Sequence, residues 1–170
     1  MPKGLKQTSS TIIISGETTE TAPNTFEQDT VDLALNVLDR EVFVVTAIDV
    51  NPNPPDALAA TDTRTAASVS NTSRATVGNI GSSNVLGVGK RYIQAAGMAD
   101  AGIGFEEMAP ETPQGDMDYI GIIATNDFYV QLQGNNNANA KTAYWRVWGY
   151  RAVADASTFA ALTQSELLSA

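Results

Sequence analysis

The chain has no histidine and no cysteine. Without histidine it lacks the commonest general base and the commonest zinc ligand. The Ser-His-Asp and Cys-His arrangements go with it. Without cysteine there are no disulfides, no thiol nucleophile and no thiolate metal site. Lysine is also scarce: Lys3, Lys6, Lys90 and Lys141 are all there are. The formal net charge is −9 and the pI about 4.3. Phosphate binding rests on clustered Lys and Arg, so this balance argues against a general nucleic-acid binder. Only MPKGLK at the N-terminus is locally basic. Few lysines beside many acids suit a salty medium, where surface charge is screened. No apolar run reaches the roughly 20 residues that a membrane-spanning helix needs. The longest, VFVVTAIDV, is interrupted at Asp49, and TIIIS is too short for a leader. The encoded chain is therefore expected to be the mature one.

What is present is β-prone. The chain has 170 residues, 43% hydrophobic and 17% charged, enough for one domain with a core. Much of its polar content is Thr, Ser, Asn and Gln, which favour strands and loops. Residues 1–25 read as an N-terminal arm. It is either a free tail or a segment that pairs with a neighbouring subunit through Ile12, Ile13 and Ile14. Val31, Leu33, Leu35 and Val37 alternate, as do Val42, Val44, Thr46, Ile48 and Val50. Two strands joined at Asp39-Arg40 follow from that period of two.

NPNPPDALAATDTRT breaks the pattern, because its prolines cannot sit inside a ladder. AASVSNTSRATVG and NVLGVGKRYIQAAG read as strands. Residues 97–118 form a second long loop with a short strand near Ile103–Met108. YIGIIA, FYVQLQ and AYWRVWGYRAV are strands, with Thr125-Asn126-Asp127 as a turn between the first two. FYVQLQ and AYWRVW, joined by the asparagine-rich NNNANAK, look like one long hairpin with a plain polar turn. DASTFAALTQSELLSA reads as a short helix capped by Asp155 or Ser157, with Phe159, Leu162 and Leu167 on its apolar side. The expected fold is all-β: an antiparallel β-sandwich over residues 26–154, of jelly-roll or related Greek-key type. The arm precedes it and a helical tail, 155–170, follows.

No chemical motif is intact. DVNPNPPD begins like a calcium loop with Asp49, Asn51 and Asn53. Pro54 then stands where the turn glycine belongs, and Ala60 where the bidentate glutamate belongs. A loose calcium site built from loop oxygens is the remaining cofactor alternative; otherwise no cofactor is expected. Asp116 with Asp118, and Glu106 with Glu107, supply loop carboxylates of the kind glycoside hydrolysis uses. Such pairs are far more often solvated surface. LGVGKR lacks the first glycine and the Ser or Thr of a phosphate loop, with Asn84 and Arg91 in those places. Asn71-Thr72-Ser73 fits a glycosylation triplet that recurs by chance.

The surplus lies in the aromatics. Phe128, Val130 and Leu132 would face a core from one side of the assumed hairpin. Tyr129, Gln131, Gln133, Tyr144, Arg146, Trp148 and Tyr150 would share the other. Tyr, Trp and Arg with few Lys or Glu is the composition of interface centres. A carbohydrate platform would use the same residues, and a strand packed on both sides would bury them.

The strand number, the long loop NPNPPDALAATDTRT and the closing pair NDFYVQLQG and AYWRVWGYRAV, spanning Thr25 to Val153, resemble single jelly-roll capsid proteins of icosahedral viruses. The resemblance implies a non-enzymatic virion protein that tiles a shell with copies of itself, and with other coat proteins where these share the lattice. Its interface would draw on Tyr129, Tyr144, Arg146, Trp148, Tyr150, Ile12, Ile13, Ile14, Phe159 and Leu162. Genome-facing arms in that family are often strongly basic. Lys3 and Lys6 fall short of that, which implies neutralisation by separate proteins or contact with an internal membrane. A decoration, tail or spike-like phage protein and a carbohydrate-binding β-sandwich are the alternatives.

Overall fold

The computed structural model describes residues 3–97, 103–105 (backbone only) and 118–168. Among the described residues, ten strands form two five-stranded antiparallel sheets. The strands are β1 Leu5–Gln7, β2 Ile12–Thr19, β3 Glu27–Asp32, β4 Glu41–Pro52, β5 Thr63–Ser70, β6 Val85–Gln94, β7 Ile103–Phe105, β8 Gly121–Ile123, β9 Asp127–Asn135 and β10 Thr142–Ala154. A 3₁₀ turn, Val37–Asp39, precedes β4, and helix α1, Ala156–Leu168, closes the chain. No helix among the described residues is long and apolar enough to cross a membrane.

The first sheet runs β1-β10-β4-β8, with β2 also on β10, and the second runs β3-β9-β5-β6-β7. Apart from the three-residue β1 and β7, the strands pair first with last and so inward: β2 with β10, β3 with β9, β4 with β8, β5 with β6. This is the pairing of one long antiparallel ribbon, folded at β5–β6 and rolled into two layers. The β-sandwich expected from the alternation is what forms.

Both layers bury their period-two apolar sets. Phe43, Val45 and Ile48 of β4 meet Val69, Ile123, Phe128, Val130, Trp145 and Val147 in the main core. Trp145 sets the spacing. Its ring lies edge-on to Phe128 of the other sheet, with centroids 5.8 Å apart. It also lies over its cross-strand partner Gly16, where an added Cβ would stand 2.5 Å from the indole. A glycine in β2 thus makes room for a large aromatic from β10.

Three expectations need correction. First, β9 and β10 do not form a hairpin. The ladder edges of β9 are filled by β3 and β5, and those of β10 by β1, β2 and β4. The segment between them crosses from one sheet to the other. Second, residues 1–25 are not a free arm among the described residues. β10 is 13 residues long, and β1 and β2 lie end to end along one side of it. Third, the alternation from Val31 stops as a strand at Asp32. Leu33 and Leu35 remain buried, but Val37 is exposed on the 3₁₀ turn. The Leu33 amide still donates to the Asn126 backbone carbonyl, but beyond it the Asp32 side chain accepts from the Ala34 amide and the Asn126 side chain from the Leu35 amide, so ladder bonding gives way to side-chain capping.

NNNANAK is likewise more than a plain turn. Asn137 donates to the Arg64 carbonyl, accepts from the Asp56 amide and exchanges two bonds with Asn24. Asp56 accepts from the Ala138 and Asn139 amides and from the Lys141 ammonium. Buried Glu20 accepts from the Gly134 and Lys141 amides. The joint ties three connections together at one end of the sandwich.

As expected, Asp155 caps α1, accepting from the Thr158 amide at 2.7 Å. The helix lies on the outer side of the first sheet. Phe159 and Leu162 pack there with Leu5, Val42, Val44, Ala152 and Tyr150. Its last turn is fastened by buried Glu166, whose carboxylate accepts from the Ala124 and Thr125 amides at 2.9 Å each and from the Asn71 side chain.

Two predictions follow from this packing. Gly16→Val should destabilise the domain by about 1–3 kcal/mol, because overpacking displaces Trp145. A urea midpoint within error of the wild type would contradict this. The hydrogen bond from Lys141, aided by Asn139, holds the Asp56 carboxyl below its ordinary value. A depressed carboxyl contributes stability that is present above its unfolded pKa and is lost as pH falls through the folded value. The stability gap between wild type and Asp56→Asn should therefore be widest near neutral pH and close below about pH 4. A gap independent of pH would contradict this.

Candidate interaction surface

The outer side of the first sheet is only partly covered by α1. Beyond the helix, the register of β2, β10 and β4 lines up three rows: Ile13, Trp148, Ala47; then Ser15, Arg146, Asp49; then Glu17, Tyr144, Asn51. These side chains point outward because their neighbours Ile12, Ile14, Trp145 and Val147 point into the core. A bulge in β4 opposite Trp148/Gly149 keeps the alternation in phase on either side of it. There the Thr46 hydroxyl donates to the Trp148 carbonyl.

Ile13 is 59% exposed and Tyr144 49%. Arg146 is exposed and Trp148 half-buried. The Arg146 guanidinium stands 5.6 Å from the centre of the Trp148 ring. At an exposed site such a cation–π contact contributes about 0.5–1 kcal/mol. It also pairs two large side chains on one face of the sheet. At the edge of the helix, burial and then the Asp118 charge push the Tyr150 phenol above its ordinary value.

Of the residues that composition singled out, the structure brings together Ile13, Tyr144, Arg146 and Trp148. The expected common face is corrected for the residues of β9, and the remaining candidates are occupied within the subunit. Tyr129 belongs to β9 and so to the outer side of the opposite sheet. Its neighbour Gln131 is fully buried there under residues 71–84, bonded to Ser68 and Ser70. Tyr150, Phe159 and Leu162 pack on one another's elements within the chain. Ile12 and Ile14 pack against the core. The pairing of β2 with β10 also adds Ser15 and Glu17, and that of β4 with β10 adds Asp49 and Asn51. Nothing local in the sequence marks them as neighbours of Tyr144 and Arg146, because their grouping depends on contacts between segments roughly 100 to 130 residues apart.

A second apolar region lies elsewhere. Asp32 pairs with Asp127 and Ser70 with Tyr129, so the β3–β4 and β5–β6 connections leave the sandwich at one end. Glu166 brings the last turn of α1 there too. Val37, Leu38, Ile80, Leu167 and Leu168 on these elements are all exposed, Leu38 at 94%. These five with Ile13 and Tyr144 make up the exposed large hydrophobics of the described residues.

Other candidates disperse. Asp49 and Asn51 sit on a strand rather than in an ion-binding loop, and Asn51 accepts from Arg91. No three acidic side chains among the described residues are grouped to hold a metal ion. Glu106, Glu107 and Asp116 lie outside the described residues, as does the 106–108 part of the short strand expected near Ile103. LGVGKR forms part of strand β6. The Asn71 amide is engaged by Glu166. No protein-family model and no curated protein sequence matches the chain.

Truncating the face should cost the subunit little. Tyr144→Ala and Ile13→Ser are each expected to change stability by no more than about 0.5 kcal/mol, as exposed substitutions do. A loss above about 2 kcal/mol in urea unfolding would place these side chains in the subunit's own core instead.

Proposed function

We propose that the chain is a structural virion protein: a jelly-roll capsid subunit that assembles, alone or with another coat protein, into an icosahedral shell. The observation that carries this reading is the first-with-last pairing of eight strands. It is the order a ribbon takes when rolled into a jelly roll, here β2-β10-β4-β8 against β3-β9-β5-β6. The surface supports the reading further. An aromatic and arginine platform on one face and exposed apolar side chains at one end offer the subunit surfaces on two sides. A tile in a closed shell needs both. Each contact of standard size, about 1,600 Å², suffices when repeated around the shell. The work is mechanical: a rigid sandwich, stiffened at one end by the Asp56–Asn137 ties, holds these surfaces at a fixed angle.

Charge regulates the assembly. At −9 per subunit, neighbours repel at low ionic strength. Light scattering of the purified protein should rise with added salt or with a bridging divalent cation. Sedimentation and electron microscopy should then show closed particles. A discrete trimer under all conditions would favour a decoration or tail protein. A monomer that binds sugar through Trp148 would favour a carbohydrate module, and either result overturns the shell.

A further inference from the structure

Three edges of the two sheets are guarded and one is not. β8 and β7 are only three residues long. Past its contact with β8, β4 is closed off by β6: Gly89 abuts the Val50 carbonyl and Arg91 donates to Asn51. β3 carries Glu27, Asp29 and Asp32, and its Gln28 is bonded to Ser73 and to the Arg74 amide. Asp29 pairs in register with Val130, so an acid stands on the core-facing side of that edge. Inward-pointing charge and short strands are the ordinary devices against stray pairing.

β2 has none of these. It is eight residues long, IIISGETT, with no lysine, no proline and one charge, Glu17. β10 occupies one side of it, and no strand among the described residues lies on the other. An outward row of backbone donors and acceptors beside three consecutive isoleucines is a template for another strand.

We propose that this edge pairs with β2 of a second copy, antiparallel about a two-fold axis, joining the first sheets of two subunits into one. An overlap of Ile12–Thr18 with its own copy keeps outward side chains on one face and centres the pair on Ser15, which sets Ile13 of one copy opposite Glu17 of the other and Ile14 opposite Gly16. The single acid then meets an apolar partner rather than its own image, so like charges never face each other across the ladder. The Ser15–Arg146 rows of both copies then become one continuous line, and the Ile13–Trp148 row of each meets the Glu17–Tyr144 row of the other, extending the platform across the axis. The acids on β3 lie across the sandwich on the same side, so approach is resisted at low salt and the pair tightens as salt rises.

The inference does not rest on the shell, since a discrete dimer satisfies it. The chain has no native thiol, so Ser15→Cys carries one. Under mild oxidation it should give a disulfide-linked dimer, while Asp49→Cys, two strands away on the same face, should not. Ser15→Lys should weaken association in sedimentation by about tenfold or more while circular dichroism and the melting temperature stay those of the wild type. Hydrogen exchange should show the outward β2 amides protected as concentration rises. Equal cross-linking at positions 15 and 49, none at 15, or Ser15→Lys associating like the wild type would overturn the proposal. So would unprotected β2 amides in an associated sample, and each of these results can occur whether or not shells form.

Discussion

The whole molecule hangs on one strand held at both edges. β10 pairs with β4 on one side and with β1 and β2 on the other, so the last strand of the chain joins its beginning to its middle. The register is fixed by volume: the Trp145 indole fits only where β2 has a glycine, and its contact with Phe128 sets the distance to the other sheet. A one-residue slip would turn Trp145 and Val147 outward and bring Arg146 and Trp148 in. The same register that closes the core therefore assembles the exposed face. Subunit stability and surface chemistry are not separable on this strand.

Local chemistry was legible in the sequence, and long-range pairing was not. Alternation identified the core residues of β9 and β10, the prolines after Pro52 ended a strand, and Asp155 announced the helix; in β4 the bulge at Thr46 broke the period, so Phe43 and Val45 face the main core while Val42 and Val44 face the helix. Each of those signals lies within a few residues of its effect. The hairpin assumed for FYVQLQ and AYWRVW failed because short separation in sequence favours, but does not compel, adjacent pairing. Six residues link β9 to β10, enough to cross to the other sheet. The N-terminal segment looked free because nothing near Ile12–Ile14 could bury them; their partners stand some 130 residues away. Half of the candidate site came through this same blind spot. Tyr144, Arg146 and Trp148 share a face by alternation alone, but only the β2 pairing adds Ile13 to it, and only the true topology removes Tyr129.

Polar groups in the joint were misjudged for a different reason. Asparagine reads as turn material because it satisfies its own backbone cheaply. In this chain Asn24, Asn126 and Asn137 instead bond to segments remote from themselves. With few charged residues available, amides and buried carboxylates do the tying that salt bridges do elsewhere. Glu20 and Glu166 show the pattern most clearly, each buried and each accepting two backbone amides. The result is an end of the sandwich and a helix terminus fastened by buried side-chain hydrogen bonds.

The central claim is that the face of Ile13, Tyr144, Arg146 and Trp148 exists to be covered by protein. Cryo-electron microscopy of the associated state, formed at high salt, tests it most directly. The account predicts these four side chains packed against neighbouring subunits at well-defined contacts. An assembly in which all four stand open to water would contradict it.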